Sequence, residues 1–140
     1  MKVNKQKLQE MYTEYQMLMQ QMQQLQQNLQ ELQRHVSDLN NLKKNLDEIS
    51  FVELNTETLV PLGNGIFLHA ELKDNKNIVM NVGSDVFVDK TFSEAKETVD
   101  KQMNEVTNVV LQMEQEIEKT TYRIEEIQEE FQKISPEDTE

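Results

Sequence analysis

The chain has 140 residues, no cysteine and a formal net charge of −12 at pH 7. This length allows one structural unit at most, and the lack of cysteine excludes a disulfide framework. No apolar run approaches the roughly 20 residues that span a bilayer, and the polar, lysine-containing N-terminus lacks the apolar segment of a signal peptide. We therefore expect a soluble, cytoplasmic protein with no membrane partner.

The first third of the chain predicts one long helix over residues 1–50. Its apolar residues recur at alternating steps of three and four, which is the seven-residue repeat of a coiled-coil seam. This first seam comprises Leu8, Met11, Tyr15, Leu18, Met22, Leu25, Leu29, Leu32, Val36 and Leu39. An extra step of three then continues it through Leu42, Leu46 and Ile49, and such a step overwinds a supercoil locally.

In the middle segment, residues 56–90, the apolar period changes to two, which predicts four short strands. Residues 63–65 (Gly-Asn-Gly) and 83–85 (Gly-Ser-Asp) are typical of tight turns, so we expect two consecutive β-hairpins. Pro61 cannot donate to a strand ladder, so it belongs at a sheet edge or a bulge.

The two predicted hairpins are expected to form an assembly surface, because isolated hairpins with apolar faces and open edges are unstable in water. The side chains assigned to this oligomerisation surface are Leu59, Val60, Leu62, Ile66, Leu68, Ile78, Met80, Val82, Val86 and Val88.

The last third predicts a second long helix over residues 92–134, followed by a disordered tail at 135–140. Its seam comprises Ala95, Val99, Met103, Val106, Val110, Met113, Ile117, Thr120, Ile124, Ile127, Phe131 and Ile134. Read backwards, it matches the first seam layer for layer, from Leu8 with Ile134 to Leu39 with Met103. We therefore predict an α+β fold, a long antiparallel two-helix coiled coil of roughly 65 Å joined by two β-hairpins. Two parallel homodimer zippers are the alternative.

Chemistry-bearing motifs are missing from the sequence. His35 and His69 lie on different predicted elements, and no Gly-rich phosphate loop is present, so we expect no enzyme activity, no metal and no cofactor. Residues 93–140 carry five basic and fourteen acidic side chains. Because phosphate backbones are bound mainly by Lys and Arg, this charge disfavours a nucleic-acid partner.

Three runs in the middle segment resemble the hallmark of archaeal prefoldin alpha subunits: residues 57–67 (Glu-Thr-Leu-Val-Pro-Leu-Gly-Asn-Gly-Ile-Phe), 70–74 and 82–90. One departure is Ser84-Asp85, where members of that family more often have a second glycine close by. The departure could alter the type of the second turn but not the strand pairing.

The resemblance implies an ATP-independent molecular chaperone, a hetero-hexamer of two alpha with four prefoldin beta subunits. The hairpins of all six would close into an oligomeric β-barrel. Unfolded client proteins would be captured at the coiled-coil tips and passed to a group II chaperonin. A filament-forming gamma-type prefoldin and a structural coiled-coil scaffold are the alternatives.

The apolar stripe near the chain ends is wider than a seam requires. Tyr12 and Met19 lie beside seam positions, and Met17 lies on the outer side of the first helix. Fraying of the helix ends would add seam residues to this surface. The client-binding candidates are therefore Tyr12, Met17, Met19, Leu8, Met11, Tyr15, Ile127, Phe131 and Ile134, although seam members such as Leu8, Met11, Phe131 and Ile134 are more often simple coiled-coil core.

Overall fold

A computed structural model describes residues 5–134 as two long helices with four strands between them. The elements are α1 (Lys5–Ser50), β1 (Glu57–Gly63), β2 (Ile66–Glu71), β3 (Asn77–Asn81), β4 (Phe87–Thr91) and α2 (Phe92–Lys133). Each pair of strands forms its own two-stranded antiparallel sheet, β1 with β2 and β3 with β4. The predicted fold class, two long helices joined by two β-hairpins, is confirmed. The predicted tail, residues 135–140, lies outside the described residues.

The chain divides into two compact units. Residues 1–35 and 106–140 form one of them, here called the terminal unit, and residues 36–105 form the other, the hairpin unit. Helices α1 and α2 contribute to both units, whereas all four strands belong to the hairpin unit.

The buried side chains follow the predicted seams. In the terminal unit they are Met11, Thr120, Ile124 and Ile127, and in the hairpin unit Leu39, Leu46, Phe92, Ala95 and Val99. Most other seam residues are half-buried, because a two-helix seam leaves one side of each residue close to water. Thr120 is the polar exception predicted in the second seam, and its hydroxyl donates to the Glu116 carbonyl oxygen at 2.8 Å.

Two ion pairs fix the direction of the helices in the hairpin unit. Lys43 Nζ lies 2.8 Å from Asp100 Oδ1, and Lys96 Nζ lies 2.6 Å from Asp47 Oδ1. A later residue on α1 thus pairs with an earlier residue on α2, so the two helices run antiparallel here. The hydrogen bond to Asp100 raises the pKa of Lys43 above its ordinary value.

The seam prediction was wrong for Leu42 and Ile49, which remain 42% and 43% exposed. After Leu39 the half-buried positions of α1 include Lys43 and Asp47 instead, and both of these side chains pair with residues of α2. Leu39, Lys43, Leu46 and Ser50 keep the alternation of four and three, so the seven-residue repeat continues without the predicted extra step of three. The apolar residues Leu42 and Ile49 leave the repeat here, and the charged Lys43 takes a seam position.

Hydrogen bonds hold the ends of the helices next to the hairpins. Thr91 precedes α2, and its Oγ1 accepts the Glu94 backbone N–H at 3.1 Å. This contact belongs to the Thr-x-x-Glu capping pattern, which satisfies a backbone donor at a helix start. Beyond the end of α1, the Asn75 side-chain amide donates to the Val52 carbonyl oxygen at 3.1 Å. The loop between the two hairpins is thereby attached to the turn that follows α1.

The first hairpin contains the irregularity that Pro61 predicts. Pro61 pairs with Phe67 and Gly63 with Ile66, so the register shifts by one residue and Leu62 forms a β-bulge. The missing N–H of proline is thus placed where the ladder is already interrupted, and the edge-or-bulge prediction for Pro61 is confirmed.

Both hairpin turns have the same backbone conformation although their sequences differ. Asn64 and Gly65 have φ values of 50° and 80°, and Ser84 and Asp85 have values of 50° and 59°. Positive φ at both central residues is the mark of a type I′ turn, whose twist matches that of the flanking strands. The change from glycine to aspartate in the second turn therefore does not alter the turn class.

Candidate functional site: the terminal groove and the hairpin faces

An open groove of about 810 Å³ lies in the terminal unit, where α1 begins and α2 ends. It is called here the terminal groove, and its described lining residues are Lys5, Leu8, Gln9, Tyr12, Tyr15, Gln128, Phe131 and Gln132. Three aromatic rings and three glutamine amides thus border one apolar concavity. Apolar clefts of this size with a few polar groups are the usual form of a binding site.

The aromatic rings of the groove differ in their contacts and exposure. Tyr15 and Phe131 pack edge to face across the two helices, with ring centroids 6.0 Å apart and planes at 73°, a favoured aromatic geometry. The Gln128 amide donates to Tyr15 Oη at 3.3 Å. Tyr12, by contrast, is 56% exposed. Tyr15 and Phe131 therefore form one wall of the groove, and the Tyr12 ring is exposed at its opening.

The seam residues among the predicted client-binding candidates differ in how far they are buried. Met11 and Ile127 are buried, and Ile127 has no exposed surface at all. Leu8, Tyr15, Phe131 and Ile134 are half-buried. Met11 and Ile127 are thus coiled-coil core in this conformation, whereas Leu8, Tyr15 and Phe131 contribute both to the seam and to the terminal groove.

Two flanks run along the seam of the terminal unit, and one of them carries an ion pair. Arg123 Nε and Nη2 donate to the two carboxylate oxygens of Glu14 at 2.7 and 2.9 Å, and Nη1 donates to Glu126 at 3.1 Å. Hydrogen bonding to Arg123 lowers the pKa of Glu14, and the same bond raises the pKa of Arg123. We call this side the paired flank.

The opposite side, the open flank, carries the terminal groove. Tyr12 follows the seam residue Met11 directly, Met19 lies seven residues further on, and Gln128 follows the seam residue Ile127. In an antiparallel coiled coil, residues that follow the seam on both helices share one flank, and those that precede it share the other. The Tyr15–Gln128 hydrogen bond is consistent with this division.

The structure does not bring the three exposed client-binding candidates onto one surface. Tyr12 lines the terminal groove, and Met19 continues the same flank. Met17 instead shares a shallow depression with Glu14 and Gln21, next to the paired flank. All three side chains are exposed, Met17 by 65%.

Sequence reasoning missed Lys5, Gln9, Gln128 and Gln132 as lining residues of the groove. A usable signal was present, because Lys5 and Gln128 occupy the same flanking position of the repeat as Tyr12. Assigning each flank separately would have grouped them. The glutamines carry no apolar signal, so the pattern of apolar residues alone did not indicate that they lie beside the rings.

The hairpin faces expose most of the residues assigned to oligomerisation. Leu59, Val60, Leu62, Ile66, Leu68, Val82 and Val86 are exposed, whereas Ile78, Met80 and Val88 are half-buried. Between the two helices the structure also exposes apolar residues that the assignment did not include: Phe51, Leu54, Phe67, Val79 and Phe87. Phe51, in the turn after α1, is 87% exposed. A surface this apolar is typical of a protein–protein interface.

One pair of ionisable groups lies on the surface of the first hairpin. His69 Nδ1 lies 2.8 Å from Glu57 Oε1, and both side chains are largely exposed. Across residues 5–134, no three His, Cys, Asp or Glu side chains are grouped so that they could hold a metal ion. Over the same range, neither helix contains a stretch long and apolar enough to cross a membrane.

Comparison with known proteins identifies relatives of this architecture. The family model described as prefoldin subunit matches residues 18–137. A prefoldin subunit alpha from Thermofilum pendens is 28% identical over 115 residues, which cover 82% of this chain and 89% of the relative.

Two further relatives match over a shorter region. Prefoldin subunit alpha of Methanosarcina acetivorans is 30% identical over 80 residues, 57% of this chain and 56% of the relative. Prefoldin subunit alpha 2 of Thermococcus kodakarensis is 28% identical over 81 residues, 58% and 57%. The chain thus spans a little more than half the length of these two curated relatives.

Among solved structures, a chain of the filamentous PFD from Methanocaldococcus jannaschii superimposes with a TM-score of 0.76 at 18% identity. The match covers 85% of this chain and 98% of that chain. At this identity the likeness is one of fold. Because the family model covers most of the chain and the helices and hairpins have the matching architecture, this chain belongs to the prefoldin subunit family.

Proposed function

We propose that this chain is an alpha-type prefoldin subunit that holds non-native proteins without ATP and delivers them to a group II chaperonin. The observation that carries the proposal is the terminal groove, with its exposed Tyr12 beside the Tyr15–Phe131 wall. An unfolded client presents apolar side chains that a folded protein buries, and an open apolar groove can bind them without a reaction step.

Affinity in this proposal comes from several subunits acting together. A single open groove buries little surface, so each contact with a client is weak. When several grooves are joined in one assembly, the second contact becomes intramolecular and the overall affinity rises steeply. A holding chaperone needs this combination, because weak individual contacts allow release.

The hairpin faces supply the assembly. Two-stranded sheets with exposed apolar side chains are marginal alone and become stable when other strands cover them. We propose that they pair with the hairpins of prefoldin beta subunits, two alpha with four beta, in a closed β-barrel. Leu59, Leu68 and Val86, all exposed in the single chain, would be covered there.

Client holding is tested by diluting a chemically denatured protein into buffer without nucleotide and following its aggregation by light scattering. The co-assembled complex is expected to suppress aggregation. Changing Tyr12 and Met19 together to Ser should weaken suppression severalfold, because it removes two exposed apolar side chains of the open flank. Tyr122→Ser is the matched control, since Tyr122 is 58% exposed but does not line the groove.

Met17→Ser distinguishes client capture on the open flank from capture over all exposed apolar side chains at the end of the terminal unit. If capture occurs on the open flank, this variant holds clients as well as the unaltered complex. An equal loss from Met17→Ser and from the Tyr12/Met19 variant would contradict a groove and favour a diffuse apolar surface. If the Tyr12/Met19 variant suppresses client aggregation as well as the unaltered complex, the client-binding assignment of these two residues is wrong.

Delivery is tested separately. A client held by the complex should refold in higher yield after a group II chaperonin and ATP are added, and the chaperonin without the complex should give less. If the complex leaves the yield unchanged, it is a holding protein that does not hand its client over.

A filament is the second candidate, because the solved chain with the matching fold comes from a filamentous PFD. In that case the hairpins would join copies of this chain into an open-ended filament instead of a closed ring. Size-exclusion chromatography with light scattering distinguishes the two. A closed particle that forms only with beta subunits supports the proposed hexamer, and open-ended growth of this chain alone supports the filament.

A further inference from the structure

We infer that the terminal groove prefers client segments in which large apolar side chains stand next to an acidic residue, and that Lys5 provides this preference. The inference rests on the proposed client-binding role of the groove. It adds a selectivity by charge to a site otherwise described by its apolar character.

The first argument is the charge of the groove. The whole chain carries −12, and α2, with eleven acidic and five basic side chains, contributes half of this excess. Yet among the described residues that line the groove, Lys5 is the only one charged at neutral pH, and none is acidic. An acidic client residue therefore finds an opposite charge here and no carboxylate in the lining itself.

The second argument is the position of Lys5. Leu8, Gln9 and Tyr12 lie three, four and seven residues after it, so on a helix they follow it along one face. Lys5 thus stands at the outer end of an apolar row, with its ammonium carried on a long flexible stem. A client side chain seated on Tyr12 places the neighbouring client residue within reach of that stem.

The third argument is the chemistry of the remaining lining. Gln9 and Gln132 each carry an amide that can both donate and accept. An unfolded client presents unpaired backbone N–H and C=O groups, and neutral amides can satisfy them without selecting for charge. Discrimination between client charges is therefore left to Lys5.

A contrasting surface lies elsewhere in the terminal unit. Tyr122 is exposed like Tyr12, but its depression is bordered by Glu118 and Glu125. Carboxylates on both sides disfavour an acidic segment. An exposed ring alone thus does not define the preference; the ring together with Lys5 does.

Peptide binding to the full-length chain tests the inference. Two fluorescein-labelled peptides share the core Gly-Ser-Leu-Phe-Leu and end in either Asp-Ser or Lys-Ser, and fluorescence anisotropy gives their dissociation constants. We expect the Asp peptide to bind roughly two- to fivefold more tightly, the range for one solvent-exposed charge pair. The difference should shrink as salt is raised to about 0.5 M.

Charge reversal at Lys5 gives the sharper result. Lys5→Glu should invert the preference, so that the Lys peptide binds more tightly, and Lys5→Gln should abolish it. Both changes are tolerable at an exposed helix start, where an acidic residue is favourable. Lys101→Glu, the same charge change on α2 in the hairpin unit, is the matched control and should leave the preference unaltered.

The outcomes separate this inference from the proposed function. If neither peptide binds the unaltered chain, the groove is not a client site and the proposed function loses its support. If both bind equally, with or without Lys5, clients are captured without charge selection and only the inference fails. A chain ending at Ile134 is measured in parallel, because residues 135–140 include three acidic side chains. A preference that arises only in this shortened chain would assign the groove to the chain's own acidic segment and overturn the inference.

Discussion

The terminal unit and the hairpin unit each contain a coiled-coil seam but leave opposite kinds of surface. In the terminal unit the exposed aromatic and apolar side chains are few, and the exposed Tyr12 ring lies beside the packed Tyr15–Phe131 pair. In the hairpin unit nearly every strand residue is exposed, and apolar side chains point to both faces of each sheet. The first arrangement suits brief contacts with many partners, and the second requires a permanent one.

The difference originates in the elements themselves. A helix needs only one seam to hide its apolar side chains, so a pair of helices can be complete with a small remainder. A two-stranded sheet has two faces and two edges and cannot cover them without additional strands. A pair of helices therefore covers most of its apolar side chains by itself, whereas the two-stranded sheets need additional strands to cover theirs.

The largest effect should come from the buried seam of the terminal unit. Ile127→Ala removes a side chain without exposed surface, and we expect it to lower the free energy of unfolding by about 2–4 kcal/mol. Leu111→Ala, at a side chain that is 52% exposed, should cost under about 1 kcal/mol. Urea unfolding followed by circular dichroism at fixed protein concentration measures both. Equal losses would contradict the seam.

A conditional effect is expected on the hairpin faces. Leu68→Ser alters an exposed side chain of the single chain, so the unfolding free energy of the chain alone should change by less than about 0.5 kcal/mol. In the assembly, where we propose that Leu68 is covered, the loss should reach about 1–2 kcal/mol, or roughly tenfold in the dissociation constant. Mass photometry of a dilution series measures it. If assembly is unaffected, Leu68 lies outside the interface.

A substitution in the second hairpin turn should increase the stability of the chain. Asp85 holds φ at 59°, a conformation that costs a non-glycine residue free energy. Asp85→Gly is expected to raise stability by about 0.5–1 kcal/mol. Gly65→Ala, at φ 80° and with no atom near the added methyl group, should lower it by a similar amount. Thermal unfolding of both variants tests whether the turns are equivalent; a loss from Asp85→Gly would refute it.

The smallest effect should come from the paired flank. Glu14 and Arg123 are each about 40% exposed, so a double-mutant cycle with Glu14→Gln and Arg123→Gln should give a coupling of under about 1 kcal/mol. The pKa of Glu14 is lowered in the folded chain. The coupling is therefore present at neutral pH and is lost as pH falls through the ordinary glutamate range toward the folded pKa. A coupling that grows on acidification would contradict the assignment.

Much of the fold could be predicted from sequence because seams and turns are local patterns. The period of the apolar residues indicated both helices, and Pro61 marked the bulge. The side of α1 that faces α2 after Leu39 was predicted wrongly, because the prediction followed the apolar residues Leu42 and Ile49 instead of continuing the repeat through Lys43. The terminal groove was predicted only in part. Its glutamines carry no apolar signal, and the two flanks of the seam are told apart only by contacts between α1 and α2.

The two lysine–aspartate pairs also act against wrong partners. In α1 the paired residues are Lys43 and Asp47, and in α2 they are Lys96 and Asp100. In both helices the lysine comes four residues before the aspartate. Head-to-foot packing satisfies both pairs at once. Side-by-side packing in the same direction would set Lys43 against Lys96 and Asp47 against Asp100, so that attraction becomes repulsion. These four side chains therefore disfavour parallel pairing with a helix of the same lysine–aspartate spacing, by under about 1 kcal/mol for each exposed pair.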